Sequence, residues 1–134
     1  MEAAALKSFL AYDENNHFPL ENIPFGAFHC PKDNKVHCCT RIGDFIVDLA
    51  ACFDVLKAGT SFASSENFFD HENLTAFAAK GTAVRVEVRQ RIQAEFAERS
   101  ANKDALQAHC HPHGDIKMAM PMFVRDYTDF YTSK

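Results

Sequence analysis

The densest group of side chains that could do chemistry lies near the end of the 134-residue chain, between Arg125 and Ser133. It holds two carboxylates, two phenols and three hydroxyls. Asp126 and Asp129 are spaced to share one face of a helix, whereas Asp129 and Tyr131 are spaced to share one face of a strand. Either geometry can direct a hard carboxylate oxygen and a phenol at one small polar ligand, and a divalent cation is the natural partner of the carboxylate.

A structural role explains the same residues, and spacing alone favours it. Asp126 or Thr128 can cap a helix, with Phe130 and Tyr131 as packing aromatics. One carboxylate does not make a cation site, because hard cations take several oxygen ligands. The residues by themselves leave the cation site and the structural cap as alternatives, with the cap preferred.

The terminal segment 126–133 resembles the DYTDFYSS motif of the fumarylacetoacetase family. In that family the motif opens the catalytic domain, its second Asp binds the active-site Ca²⁺ or Mg²⁺, and the following Tyr contacts the substrate. The resemblance therefore implies that Asp129 is a metal ligand and that Tyr131 binds substrate. It places the general-base His and the other carboxylate ligands beyond Lys134, so the 134 residues alone are expected to be inactive.

Two earlier segments extend the resemblance. Residues 17–28 are similar to the family's DFPIxNLPYGVF stretch, with Phe18 and Phe25 as expected core anchors, and residues 41–49 are similar to its RIGVAIGDQILDL unit. The family then implies a mainly β fold with α-helices (α+β). Residues 1–121 would form a small SH3-like β-barrel domain with flanking helices, and residues 122–134 would open the catalytic domain. Arg125 departs from the family, which usually has Gly beside the first Asp.

The implied reaction is hydrolysis of a carbon–carbon bond in 4-fumarylacetoacetate, which gives fumarate and acetoacetate in tyrosine and phenylalanine catabolism. In the complete enzyme, expected to be a homodimer, the cation would polarise substrate oxygens and a His would activate water. The alternative is a non-enzymatic interaction or regulatory module derived from the same domain, which would dock onto a complete subunit.

Composition limits the kinds of partner and the cellular compartment that the chain is expected to have. The formal charge of −4 and the pI near 5.9 argue against nucleic acid or an anionic membrane as a partner. The odd number of cysteines, the lack of a secretory leader and the lack of a bilayer-spanning apolar run predict a cytoplasmic protein with free thiols. The adjacent Cys38 and Cys39 would point to opposite faces of a strand, one into the core and one outward.

Local patterns predict a hairpin followed by a helix. Residues 36–42 alternate like a strand, Gly43 suits the first position of a type II′ turn, and residues 45–47 return as the partner strand. Asp48 is a plausible N-cap for a helix over residues 49–57. Residues 1–10 are predicted to be either a short helix or a frayed terminus. Asn73 would cap a short helix that runs through Ala79. Residues 82–99 are predicted to be helical because of their length and because apolar residues recur at four-residue steps.

The run His109-Cys110-His111-Pro112-His113 places three imidazoles and a thiol within five residues. Such side chains bind transition metals. No second cluster follows at a finger-like spacing, and Pro112 restricts the backbone. The sequence therefore predicts a loop in which the three imidazoles do not form a structural metal site.

Overall fold

The computed structural model describes residues 5–130, which form a mixed α/β arrangement. Its strands are β1 (Phe25–His29), β2 (Val36–Ile42), β3 (Phe45–Asp48), β4 (Cys110–Pro112) and β5 (Met118–Ala119). Its α-helices are α1 (Leu49–Lys57), α2 (Thr75–Ala78), α3 (Thr82–Glu95) and α4 (Lys103–Gln107). A single 3-10 turn, His113–Asp115, connects β4 to β5 within the described part of the chain.

The strands form one antiparallel sheet in the order β4-β3-β2-β1-β5. Within residues 5–130 the sheet is open, because β4 pairs with β3 and β5 pairs with β1 but the two edge strands do not pair with each other. The α+β class is confirmed, whereas a closed SH3-like barrel is not. More described residues lie in helices than in strands, so the fold is mixed rather than mainly β.

The predicted hairpin is confirmed. The register of β2 and β3 pairs Ile42 with Phe45 and leaves Gly43 and Asp44 as a two-residue turn. Gly43 has a φ of 57° whereas Asp44 keeps a negative φ, which is the combination that a type II′ turn requires. A Cβ atom on Gly43 would lie 2.6 Å from the Cβ of Tyr12. Both the backbone and the packing therefore require glycine at this position.

The predicted helices are confirmed in three of four places. Asp48 is extended, and its Oδ1 accepts a hydrogen bond from the Ala51 N–H at 3.1 Å, so it caps α1 as expected. Helix α2 is shorter than predicted, and α3 ends at Glu95 instead of continuing to residue 99. The helical alternative for residues 1–10 is wrong in its described part, because residues 5–10 are not helical and Ser8 bridges to Ala97.

The larger core fills the space between one face of the sheet and the helices. Cys38, Ile42 and Val47 project from the sheet into it and pack near Val88 and Ile92 of α3. The four-residue recurrence of apolar residues in α3 is thereby explained, since it places Val88 and Ile92 on the buried side.

A smaller core covers the opposite face of the sheet. Phe28, Cys30, Cys39 and Ile46 form it, and Ile116 packs against it from the segment between β4 and β5. The prediction that one of the two adjacent cysteines would be exposed is wrong, because Cys38 and Cys39 are 0% and 1% exposed. They do point to opposite faces, but both faces are covered. All five cysteines are free thiols, as expected.

Candidate functional site

The terminal segment places Asp129 at the protein surface. Residues 123–130 belong to neither helix nor strand, and every residue from 121 to 130 is exposed. The Tyr127 hydroxyl donates a hydrogen bond to Asp129 Oδ2 at 3.2 Å, the one side-chain hydrogen bond of Asp129 within residues 5–130. Tyr131, the predicted substrate contact, lies outside the described residues. The carboxylate of Asp129 is thus accessible to a ligand from solvent.

The structural alternative for this segment receives no support from the described residues. Neither Asp126 nor Thr128 precedes a helix in that range, so neither is a helix cap. The side chains of Tyr127 and Phe130 are 81% and 86% exposed, so they do not pack on this domain. Within residues 5–130 the segment thus shows neither the cap nor the packing role, and the metal-ligand assignment of Asp129 stays a prediction.

The exposed carboxylate of Asp129 fits a hard divalent cation as one oxygen ligand. It does not make a complete site by itself. No group of three clustered His, Cys, Asp or Glu side chains among residues 5–130 includes Asp129. Further ligands have to come from elsewhere if this carboxylate holds Ca²⁺ or Mg²⁺.

An apolar cleft of about 280 Å³ lies on the face of the sheet that carries the smaller core. Phe18, predicted as a core anchor, lines this cleft instead, with the guanidinium carbon of Arg41 4.0 Å from the centre of its ring. Cys39 also lines it, but burial raises the pKa of that thiol to about 12, so the cleft offers no thiolate at neutral pH. Nothing in the cleft points to nucleophilic chemistry.

A polar cluster lies on the same face, beyond the cleft. Nδ1 of His37 is 2.7 Å from Asp48 Oδ2, and Nε2 is 2.8 Å from Asp33 Oδ2. Carboxylates only accept hydrogen bonds, so an imidazolium that donates from both nitrogens satisfies both partners. Burial by itself would lower the pKa of His37, but the hydrogen bonds and charges of Asp48 and Asp33 outweigh burial and raise it.

Two further side chains complete this cluster. Cys30 is buried with its Sγ 3.9 Å from Asp48 Oδ2. His111 lies on β4, where the sequence predicted a loop, and its Nε2 is buried without a hydrogen-bond partner in the described structure. Burial, reinforced by the charge of Lys32, lowers the pKa of His111. His109 and His113 are not part of the cluster.

Sequence reasoning missed this cluster because its members come from separate segments. Cys30 follows β1, Asp48 ends β3, and His111 lies in β4, more than sixty residues further along the chain. Only the sheet register, which pairs Ile46 with His111 and Cys39 with Asp48, brings them together. The one available signal was the dense His/Cys run of residues 109–113, and only His111 of that run belongs to the cluster.

The sheet, its helices and the exposed segment define a small mixed α/β domain that ends in a carboxylate-bearing extension. The family model described as fumarylacetoacetase N-terminal matches residues 21–121, more than half of the chain. The chain therefore belongs to the fumarylacetoacetase N-terminal family.

Curated relatives agree with this assignment. Fumarylacetoacetases from Dictyostelium discoideum and Caenorhabditis elegans are 33% and 32% identical to the chain, and each alignment covers 96% of it. The enzyme from Rattus norvegicus is 31% identical over 94% of the chain. The chain spans only 31% of the length of each of these relatives. Among the described residues, no helix has the length and apolar character needed to cross a membrane.

Proposed function

We propose that the chain is the N-terminal part of a fumarylacetoacetase that hydrolyses 4-fumarylacetoacetate to fumarate and acetoacetate in tyrosine and phenylalanine catabolism. The alignments support this proposal because they span nearly the whole chain, up to the region of the terminal motif. The observation that carries it is the exposed Asp129 carboxylate inside that motif, which is accessible to a cation.

In this proposal Asp129 is one ligand of Ca²⁺ or Mg²⁺, and Tyr131 contacts the substrate. The cation would supply Lewis-acid polarisation of the substrate oxygens. The hydrogen bond from the Tyr127 hydroxyl orients the Asp129 carboxylate. The general-base His and the remaining carboxylate ligands would follow Lys134, so the 134 residues by themselves should not catalyse the reaction.

The proposed domain organisation places a boundary at residue 121. Residues 1–121 would be the N-terminal domain and residues 122–134 the opening segment of the catalytic domain. The family match ends at residue 121, and the uninterrupted exposed stretch begins at residue 120, which supports the boundary. The 3-10 turn that carries the chain from the β4 edge to the β5 edge supports an SH3-like arrangement of the sheet.

The proposed complete enzyme is a cytoplasmic homodimer. The terminal segment exposes five large apolar side chains in the described structure: Met120, Phe123, Val124, Tyr127 and Phe130. Such a patch needs a covering surface, which a catalytic domain would provide.

The same exposed segment supports the second candidate, a non-enzymatic interaction or regulatory module that docks onto a complete subunit. The coding sequence after Lys134 discriminates the two. A His within a few codons, followed by Glu-x-Glu and further acidic residues, indicates the enzyme, whereas an immediate stop codon indicates the module.

The direct test of the site assignment is Asp129→Asn in the full-length protein that contains this chain. The substitution nearly preserves shape and removes the charge that a hard cation needs. Turnover should fall by orders of magnitude, because Lewis-acid stabilisation contributes several kcal/mol. The remaining activity should require a higher concentration of Mg²⁺ or Ca²⁺, because the cation binds more weakly. Thermal stability in chelator should shift little, since the exposed carboxylate has one side-chain partner to lose in the described structure.

Asp115→Asn is the matched control, because Asp115 is an exposed carboxylate outside the motif. It should leave turnover and metal dependence unchanged. Wild-type turnover and unchanged metal dependence in Asp129→Asn would overturn the ligand assignment.

A further inference from the structure

The sheet register gathers metal-binding side chains on the face that carries the smaller core. Residues two apart on a strand share a face, so Asp48 lies on the same side of β3 as Ile46. Ile46 is paired with His111 on β4, which makes His111 a diagonal neighbour of Asp48. Cys30, just beyond β1, belongs to the small core on this face. A thiol, a carboxylate and an imidazole thus converge from separate segments of the chain.

Their donor atoms lie at distances that suit one ion. The ligand atoms of Cys30, Asp48 and His111 all lie within 4.8 Å of one another, and Sγ of Cys30 is 3.9 Å from Asp48 Oδ2. A tetrahedral zinc site with bonds of about 2.3 Å to sulfur and about 2.0 Å to oxygen separates those two atoms by about 3.5 Å. For the sulfur and oxygen atoms, only a small adjustment of side chains is needed.

An independent observation points to a missing partner. Nε2 of His111 is buried and makes no hydrogen bond in the described structure, although buried polar atoms are usually paired. We propose that Cys30, Asp48 and His111 bind a borderline divalent transition metal ion of the zinc class. A thiolate and a carboxylate balance the charge of such an ion, and a neutral imidazole completes three protein ligands.

The donor set selects this class of ion. Thiolate and imidazole ligands suit zinc and its neighbours, whereas Ca²⁺ and Mg²⁺ prefer oxygen alone. The site is therefore distinct from the proposed Asp129 ligand, and it stands independently of the proposed hydrolase. His37 contacts Asp48 and holds its carboxylate in place, as partners of metal ligands commonly do.

A competing set in the same cluster consists of Cys30, Asp33 and His37. It is the weaker candidate because both nitrogens of His37 already have carboxylate partners. Asp33 is exposed, so the competing set borders solvent.

The test measures binding of Zn²⁺ and Co²⁺ to the purified, chelator-stripped 134-residue chain by competition with a chromophoric chelator. Wild type should bind one ion per chain, and the Co²⁺ form should show a thiolate-to-cobalt charge-transfer band. Cys30→Ser and His111→Gln should each weaken binding by about 100-fold or more and Cys30→Ser should abolish the band. Matched controls are Cys39→Ser, a buried thiol of the same small core, and His113→Gln, an exposed imidazole nearby; both should bind like wild type.

Three results would overturn the proposal. The first is a wild-type chain with no thiolate-to-cobalt band. The second is wild-type affinity in Cys30→Ser or His111→Gln. The third is loss of binding in Asp33→Asn with retention in His111→Gln, which would place the ion in the competing set. If a variant fails to fold by circular dichroism, X-ray absorption of the Zn²⁺-loaded wild type decides, because absence of a sulfur neighbour rejects the site.

Discussion

At the scale of single residues, Asp48 joins two functions in one carboxylate. Its Oδ1 caps α1 through Ala51, and its Oδ2 contacts His37. It is 3% exposed, so each oxygen depends on these partners in place of water. Asparagine at this position keeps an acceptor for the cap and removes the charge beside the imidazole, which allows the two functions to be separated.

His37 should titrate above its ordinary value in the metal-free protein. Its folded-state pKa is raised above 6.5, so the stability that protonated His37 contributes is complete below about pH 6.5 and is lost as pH rises through the raised pKa. NMR titration of the imidazole in chelator measures this pKa directly. Asp48→Asn should lower the midpoint, and Asp115→Asn should not. A wild-type midpoint at or below 6.5 would contradict the raised pKa.

The pKa of His111 should be shifted in the opposite direction, below its ordinary value. Burial lowers its pKa, so the stability gained by keeping it neutral is present above pH 6.5 and falls as pH drops below that value. His37 therefore changes stability above about pH 6.5 and His111 changes it below about pH 6.5. NMR titration of the His111 imidazole in chelator measures its pKa, and a midpoint at or above 6.5 would contradict the lowered value.

At the scale of elements, the β2–β3 hairpin depends on Gly43. Gly43→Ala adds a Cβ that meets Tyr12 at 2.6 Å and forces a non-glycine residue to a φ of 57°. We expect a loss of about 2 kcal/mol or more in the free energy of unfolding, measured by urea denaturation.

Gly59→Ala is the matched control for this turn. Gly59 also has a positive φ, of 72°, but an added Cβ there meets nothing within 4 Å. Gly59→Ala should lower the free energy of unfolding by only about 1 kcal/mol, which is the penalty for holding an L-residue at a positive φ. Equal losses in the two variants would show that the Tyr12 contact contributes nothing.

Elements with local signals could be predicted, and those that depend on distant pairing could not. The alternation of residues 36–42, the turn glycine and the Asp48 cap each lie within a few residues of the structure they specify. Strands β4 and β5 have three and two residues, too few for a periodic signal, and form only because β3 and β1 offer them edges. The prediction that one of the two adjacent cysteines is exposed failed for the same reason, because distant Ile116 packs against the small core that contains Cys39.

The candidate sites divide along the same line. Asp129 could be predicted as a metal ligand because the whole motif is contiguous, whereas its exposure is known only from the structure. The Cys30, Asp48 and His111 cluster has no sequence spacing of its own, because the strand register creates it. A contiguous run such as residues 109–113 is therefore a poor guide to which imidazole takes part in a site.

At the scale of the whole molecule, the folded domain and the proposed metal ligand are separate. Both cores consist of residues between 10 and 116, whereas Asp129 lies on an exposed segment beyond them. The chain should therefore fold as a domain without its terminal segment contributing to the core. Catalysis would require the rest of the protein to bring further ligands to Asp129.

The most direct test of the proposed function is turnover of 4-fumarylacetoacetate with Mg²⁺ or Ca²⁺, measured side by side for the full-length protein that contains this chain and for the 134 residues alone. We predict that the full-length protein releases fumarate and acetoacetate and that the 134-residue chain, folded by circular dichroism, does not exceed the blank. Absence of turnover by the full-length protein, or measurable turnover by the chain alone, would contradict the account.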